Sequence, residues 1–158
     1  MIGIGRQADY GARIVLHLSG LEPGAQVTAA EIARMRLIPP VLIRRLVSRL
    51  SKAGILRTAR GSGGGLSLAR SPSRISLADV VEAIEGPIAL NGCVVSPGAC
   101  PLAARCPIQR AWVRASRELR VSLRRVRFSQ LALRKGPRKR KDRPKSRPPK
   151  AGLHPREV

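Results

Sequence analysis

Arg60-Gly61-Ser62-Gly63-Gly64-Gly65-Leu66 decides how this chain is read. Every position from 61 to 65 is glycine or serine, between the apolar stretches Ile55-Leu56 and Leu66-Ser67-Leu68. Glycine costs order, so a glycine cluster between two short strands needs a reason. A hairpin with a tight tip that approaches something closely supplies one. An arginine at that tip, behind a pair of helices, points to a nucleic-acid backbone or minor groove.

The residues before the hairpin fall into helical periods. Tyr10, Ile14, Val15 and Leu18 share one face of a helix predicted over 7–20, broken by Glu22-Pro23-Gly24. Thr28-Ala29-Ala30-Glu31 has the form of a capping box opening a short helix that runs to about Met35. Arg36-Leu37-Ile38 is a short link. Pro39-Pro40 suits the first turn of the next helix, where a missing amide hydrogen costs little. That helix carries Ile43, Leu46, Val47 and Leu50 on one face and ends at Gly54. Two short helices, a tight turn and a glycine-tipped hairpin are the order of a winged helix-turn-helix.

Beyond the hairpin, Ser76-Leu77-Ala78-Asp79 reads as a second capping box, and its helix stops at Gly86-Pro87. A loop with Cys93, Cys100 and Cys106 follows. Ile108, Trp112, Ala115, Leu119, Ser122 and Val126 then recur at spacings of three and four, predicting a long helix over about 108–127. It is longer than one small core needs, which suits pairing with a second copy. The expected fold is mainly α with a small β wing. Residues 1–86 form the winged helix-turn-helix DNA-binding domain, 87–107 a cysteine loop, 108–133 a dimerisation helix and 134–158 a disordered basic tail.

The charge supports a polyanionic partner. The 158 residues carry 31 Lys and Arg against 9 Asp and Glu, a formal net charge of +22. The tail holds eleven basic and two acidic residues, so twenty basic and seven acidic residues remain on 1–133. Tyr10, Trp112 and Phe128 are the only aromatic residues, which argues against single-strand binding by base stacking. No apolar run reaches the roughly 20 residues that cross a bilayer, and no signal-peptide layout opens the chain, so no membrane partner and a cytoplasmic location are expected. No nucleophile–base pair or paired carboxylate stands out; Glu82 and Glu85 are commonplace for a surface helix, and an enzyme is not expected.

On the second helix of the pair, the inward face leaves Pro40, Val41, Arg44, Arg45 and Ser48 outward or partly so. Arg44 and Arg45 suit bidentate binding of guanine O6 and N7, worth about 1–3 kcal/mol of discrimination; contact with phosphate alone, or with solvent, is the blander alternative. The DNA-contacting set is Thr28, Pro40, Val41, Arg44, Arg45, Ser48, Lys52, Arg60, Gly61 and Gly63, with Lys52 on phosphate. Free cysteines often act as small buried hydrophobes, but three within fourteen positions, among Gly92, Pro97, Gly98, Pro101 and Pro107, are poor core material. Thiolates are the usual iron–sulfur ligands. Zinc accepts the same residues, so spacing alone does not choose the metal. His17 reads as a helix-face residue and Trp112 as a packing anchor; His154 lies in the tail.

Several of these pieces resemble one family. Ala8-Asp9-Tyr10, Leu50 through Leu56, the wing Arg60–Gly65, Val80 through Ile88 and the cysteine block with Cys100-Pro101-Leu102 are similar to the Rrf-type winged-helix transcriptional regulators, the group of IscR-, NsrR- and RirA-like proteins. Glu85 through Leu90 and Cys106 through Trp112 are most similar to the branch that regulates the SUF iron–sulfur assembly operon. The resemblance implies a homodimer on double-stranded DNA, a recognition helix in the major groove and a wing arginine in the minor groove. It also implies a cluster (2Fe–2S or 4Fe–4S) held by three cysteines and a fourth ligand. In the nitric-oxide-sensing branch that ligand is an acid on the partner's first helix, where Asp9 stands here. In the IscR-like branch it is a histidine three residues after the last cysteine; Gln109 stands there and excludes that mode. The implied function is a transcriptional regulator, in the repressor sense, whose DNA affinity a cluster sensing iron, oxygen or nitric oxide controls. Three alternatives stay open: a cluster-free regulator with zinc or redox-active cysteines, a charge-driven non-specific nucleic-acid binder, and an adaptor that uses the long helix alone. The basic tail is foreign to the family pattern.

Overall fold

The computed structural model describes residues 3–59, 61 and 64–133. The predicted basic tail lies outside them. The N-terminal helix α1 (Arg6–Ser19) turns Ala8, Gly11, Ile14, Val15 and Leu18 inward. Its closest neighbour is α4 (Leu77–Glu85), whose Val80 and Ile84 meet Gly11. A Cβ at Gly11 would lie 2.9 Å from Ile84 Cγ1, so only glycine allows the two helices this approach.

The helix-turn-helix is α2 (Ala29–Met35) and α3 (Pro40–Lys52). Thr28 Oγ1 accepts the Glu31 amide at 3.2 Å, but among the described residues Glu31 returns no bond to Thr28, so half of the expected capping box forms. The Ile38 amide donates to Ala33 O at 2.9 Å and closes the link. Leu37 takes the left-handed conformation there, φ 53°, which costs a non-glycine residue about 1 kcal/mol. Pro40 opens α3, and Ile43, Leu46, Val47 and Leu50 are buried, the four predicted from the period. Gly54 ends the helix at φ 66°. Its amide donates to Ser51 O, and Ile55 N donates to Leu50 O at 2.9 Å, a Schellman closure with Ile55 and Leu50 both buried.

Strands β1 (Leu56–Thr58) and β2 (Leu66–Leu68) pair antiparallel with Leu56 opposite Leu68. Val27, just before α2, bridges to Leu66 and adds one more rung. This rung explains one of the glycines. A Cβ at Gly65 would meet the Val27 backbone at 3.0–3.2 Å. Gly65 is therefore required by the fold, whereas Gly61, at φ 101°, serves the turn closed by Gly64 N on Gly61 O.

Helix α4 carries the full capping box: Ser76 N donates to Asp79 Oδ2 at 2.8 Å and Asp79 N to Ser76 Oγ at 3.2 Å. The cysteine segment holds a four-residue helix, α5 (Gly92–Val95), and single 3-10 turns. Helix α6 (Pro107–Arg125) ends two residues before the periodicity predicts. Val126 leaves the helix because its carbonyl accepts Leu77 N at 2.9 Å and the chain pairs with Ser76 through Arg127. Phe128 N then donates to Ile75 O, and α7 (Phe128–Leu133) turns back onto α1. Phe128 is fully buried, so the end of the described chain closes the core.

A Gly65→Ala variant should lose about 1–3 kcal/mol of stability, since its methyl group meets backbone that cannot retreat alone. Urea denaturation followed by circular dichroism measures it. Stability equal to the parent's would contradict the close approach.

Candidate nucleic-acid interface and cysteine loop

Helix α3 has one buried face, and its opposite face is a row of candidates. Pro40, Val41, Arg44, Arg45 and Ser48 are all exposed, Val41 at 83%. Lys52 is exposed at the helix end. Among the described residues Arg44, Arg45 and Lys52 form no ion pair, so their charge faces outward uncompensated. Arg49, on the same helix, is spent differently: its Nη1 donates to the Ile84 carbonyl and ties α3 to α4. Met35 and Leu37 stand beside Val41 in sequence and are exposed as well, at 57% and 79%. Sequence reasoning missed these two, because nothing in the link signals which way it turns its apolar side chains. Thr28 is exposed but its hydroxyl is engaged in the cap. Gly61 is exposed at the wing; Arg60 and Gly63 lie outside the described residues.

Behind α3 runs a chain of polar contacts. Asp9 Oδ2 accepts Arg13 Nη2 at 2.7 Å. Arg13 Nη1 donates to the Arg36 carbonyl at 3.3 Å, in the link between α2 and α3. Arg36 Nε donates to His17 Nδ1 at 3.1 Å. Asp9, half-exposed on α1, is thus three contacts from a buried histidine, by way of the helix-turn-helix link. His17 is among the buried residues of α1, 6% exposed. Burial lowers its pKa, the Arg36 charge lowers it further, and Glu31 opposes them.

The three cysteines are part-exposed thiols with no disulfide among them. Cys106 Sγ accepts the Gln109 amide at 3.4 Å and caps α6. Gln109 Nε2 donates to the Cys93 carbonyl at 3.3 Å, so Gln109 staples the two ends of the loop. Cys100 lines a shallow hollow with Pro97, Pro101 and Gln109. Three thiols on one short segment suit an iron–sulfur cluster in donor chemistry. In this conformation, among the described residues, no three Cys, His, Asp or Glu side chains stand close enough to hold a metal ion.

Helix α6 faces two ways. Glu82 on α4 pairs with Arg120 at 2.5 Å and with Arg124 at 3.8 Å, and Ser116 Oγ accepts Leu90 N at 3.0 Å. Trp112 and Ala115 are half-buried, whereas Ile108, Val113, Leu119 and Val121 are exposed.

Residues 4–134 match the family model described as Rrf2, iron-dependent transcriptional regulator. The chain belongs to the Rrf2 family. It is a transcriptional regulator of the DNA-binding kind, not an enzyme. Solved structures of Rrf2 regulators share its fold. CymR of B. subtilis, the global cysteine regulator, is 25% identical over 84% of this chain and 98% of its own, with a TM-score of 0.69. CymR of Staphylococcus aureus is 24% identical over 81% and 96%, at 0.63. IscR of T. potens is 20% identical over 82% and 86%, at 0.65. No helix among the described residues is long and apolar enough to cross a membrane.

The neutral, buried His17 has a pH signature. Its folded pKa lies below the unfolded value of about 6.5, so the unfolded chain takes up the proton first as pH falls. Stability should be insensitive to this group above about pH 7 and decline as pH drops through the unfolded value. His17→Asn keeps an acceptor for Arg36 and removes the titration. Urea midpoints of the two proteins between pH 7.5 and 5 measure the difference, which should narrow as the pH falls; parallel curves would contradict a neutral His17.

Proposed function

We propose that this Rrf2 protein is a homodimeric, sequence-specific repressor that lays α3 in the major groove of double-stranded DNA and Arg60 in the adjacent minor groove. The observation that carries this reading is the outward row Val41, Arg44, Arg45 and Ser48, unpaired and opposite the buried face of the same helix. Val41 offers an apolar contact for a thymine methyl, and Arg44 and Arg45 offer guanine-binding forks. Lys52 and Gly61 approach the backbone, and Thr28 sets the start of α2 against it. The exposed Ile108, Leu119 and neighbouring valines of α6 supply a face for the second copy.

Arg44→Ala should cost about 1–3 kcal/mol on a duplex the protein has selected from a random pool, and less on random DNA. Lys52→Ala should weaken both alike. Fluorescence anisotropy at two salt concentrations measures each; equal losses for Arg44→Ala on both duplexes would refute base reading.

The regulatory half of the proposal assigns Cys93, Cys100 and Cys106, with Asp9 of the second copy, as ligands of an iron–sulfur cluster. Such a cluster supplies a centre that oxygen, nitric oxide or iron shortage degrades. The chain's own residues carry the consequence. Asp9 is held by Arg13, Arg13 holds the Arg36 carbonyl, and Arg36 sits in the link that aims α3. Drawing Asp9 away from Arg13 releases one end of that series. A coupling of about 1–3 kcal/mol, 5- to 150-fold in affinity, is the usual scale. Anaerobically reconstituted protein should differ from apoprotein in DNA affinity by such a factor, and Cys100→Ser should erase the difference. Identical affinities for reconstituted and apo parent protein would refute the coupling.

A second reading keeps the DNA-binding half and makes the cysteines redox-active or zinc-binding. Likeness to a regulator of cysteine favours its redox-active form. Visible absorbance after anaerobic purification separates the two.

A further inference from the structure

A cavity lies between the α1–α2 loop and the root of the β1–β2 hairpin, and neither α3 nor any cysteine lines it. Leu18, Leu21 and Leu68 line it with apolar side chains, Arg57 and Arg70 bring two guanidinium groups, and Glu22 brings the one carboxylate. The lining therefore carries an excess of one positive charge. Arg70 Nε is shielded from solvent and has no hydrogen-bond acceptor among the described residues. Asp79 lies within electrostatic reach of Arg70 and its Oδ2 accepts Ser76 N at 2.8 Å, but it gives Arg70 neither a hydrogen bond nor an ion pair. A buried donor without an acceptor is uncommon in folded proteins, because its lost hydration is not recovered. Half-enclosed apolar walls with a few convergent polar groups are the usual make-up of a small-molecule site.

We propose that this cavity binds a small organic monoanion, with a short apolar body against Leu18, Leu21 and Leu68 and its carboxylate held by Arg57 and Arg70. The excess charge of the lining selects a monoanion over a dianion, and the apolar walls select a carbon chain over an inorganic ion. Two walls belong to the wing and one to the loop that bridges to it through Val27 and Leu66. An occupant therefore fastens the wing root to the body of the domain. That consequence for DNA rests on the wing's proposed role; the binding itself does not.

The test is titration of the full-length, isotope-labelled protein with sodium n-butyrate at constant ionic strength, followed by amide NMR. Inorganic phosphate and n-butylamine serve as controls. Butyrate should give saturable shifts at residues 21–26, 57–59 and 67–71, with neither control reproducing them. Arg70→Gln and Arg57→Gln should each weaken binding about tenfold, the loss of one charge-assisted hydrogen bond. Arg57 is exposed, so its variant remains informative if Arg70→Gln fails to fold. Shifts that do not saturate, that phosphate reproduces, or that survive unchanged in Arg57→Gln would overturn the site. Butyrate that saturates the cavity yet leaves DNA affinity unchanged would overturn the link to the wing alone; an effect on DNA affinity that Arg57→Gln abolishes would support it.

Discussion

Helix α3 is amphipathic, and Ile43, Leu46, Val47 and Leu50 commit one side of it to the core, none more than 8% exposed. Burying four such side chains contributes about 1.5–3 kcal/mol each relative to leaving them in water. A domain of this size has only about 5–15 kcal/mol of net stability. Rotating α3 about its axis is therefore forbidden, and Val41, Arg44, Arg45 and Ser48 have only one direction to face. The outward direction of every candidate contact on this helix follows from that burial. The supports are equally physical. Gly11 lets α4 close on α1, Arg49 ties α3 to the end of α4, and Phe128 seals the underside.

The elements that were legible in the sequence are those set by period and local chemistry. The buried face of α3, its glycine stop and the Ser76–Asp79 box were readable because neighbours within about five residues determine them, and the hairpin because its strands pair across one short glycine-rich turn. What stayed hidden depends on distant partners. The α6 pattern continues to Val126, but a backbone pairing with the segment before α4 ends the helix sooner. Three glycines in a row suggested close approach to DNA, yet Gly65 answers to Val27, thirty-eight residues earlier in the chain. His17 read only as a helix-face residue, and its bond to Arg36 stayed hidden because the position of Arg36 relative to α1 is not written in any local pattern.

The cysteine loop shows the limit of donor counting. The residue types are right for a cluster, and the loop is pinned at its ends by Gln109 and by the Cys106 cap. Assembly of a metal site asks more, namely simultaneous convergence, and a second copy would have to contribute the acid. The net charge of +22 acts at a different range. In the proposed reading it would draw any duplex and fall off with salt, whereas the forks on α3 would distinguish one duplex from another. Both forces act in one chain, so affinity measured at a single low salt concentration reports mostly the first.

In the proposed reading α3 and the wing, rather than charge at large, grip the duplex. Photo-crosslinking the full-length protein to a bromodeoxyuridine-substituted duplex of its own selection, with the attached peptides mapped by mass spectrometry, tests this directly. Attachment should fall within residues 37–52 and 59–65. Attachment confined to residues 134–158, with none on α3, would contradict it.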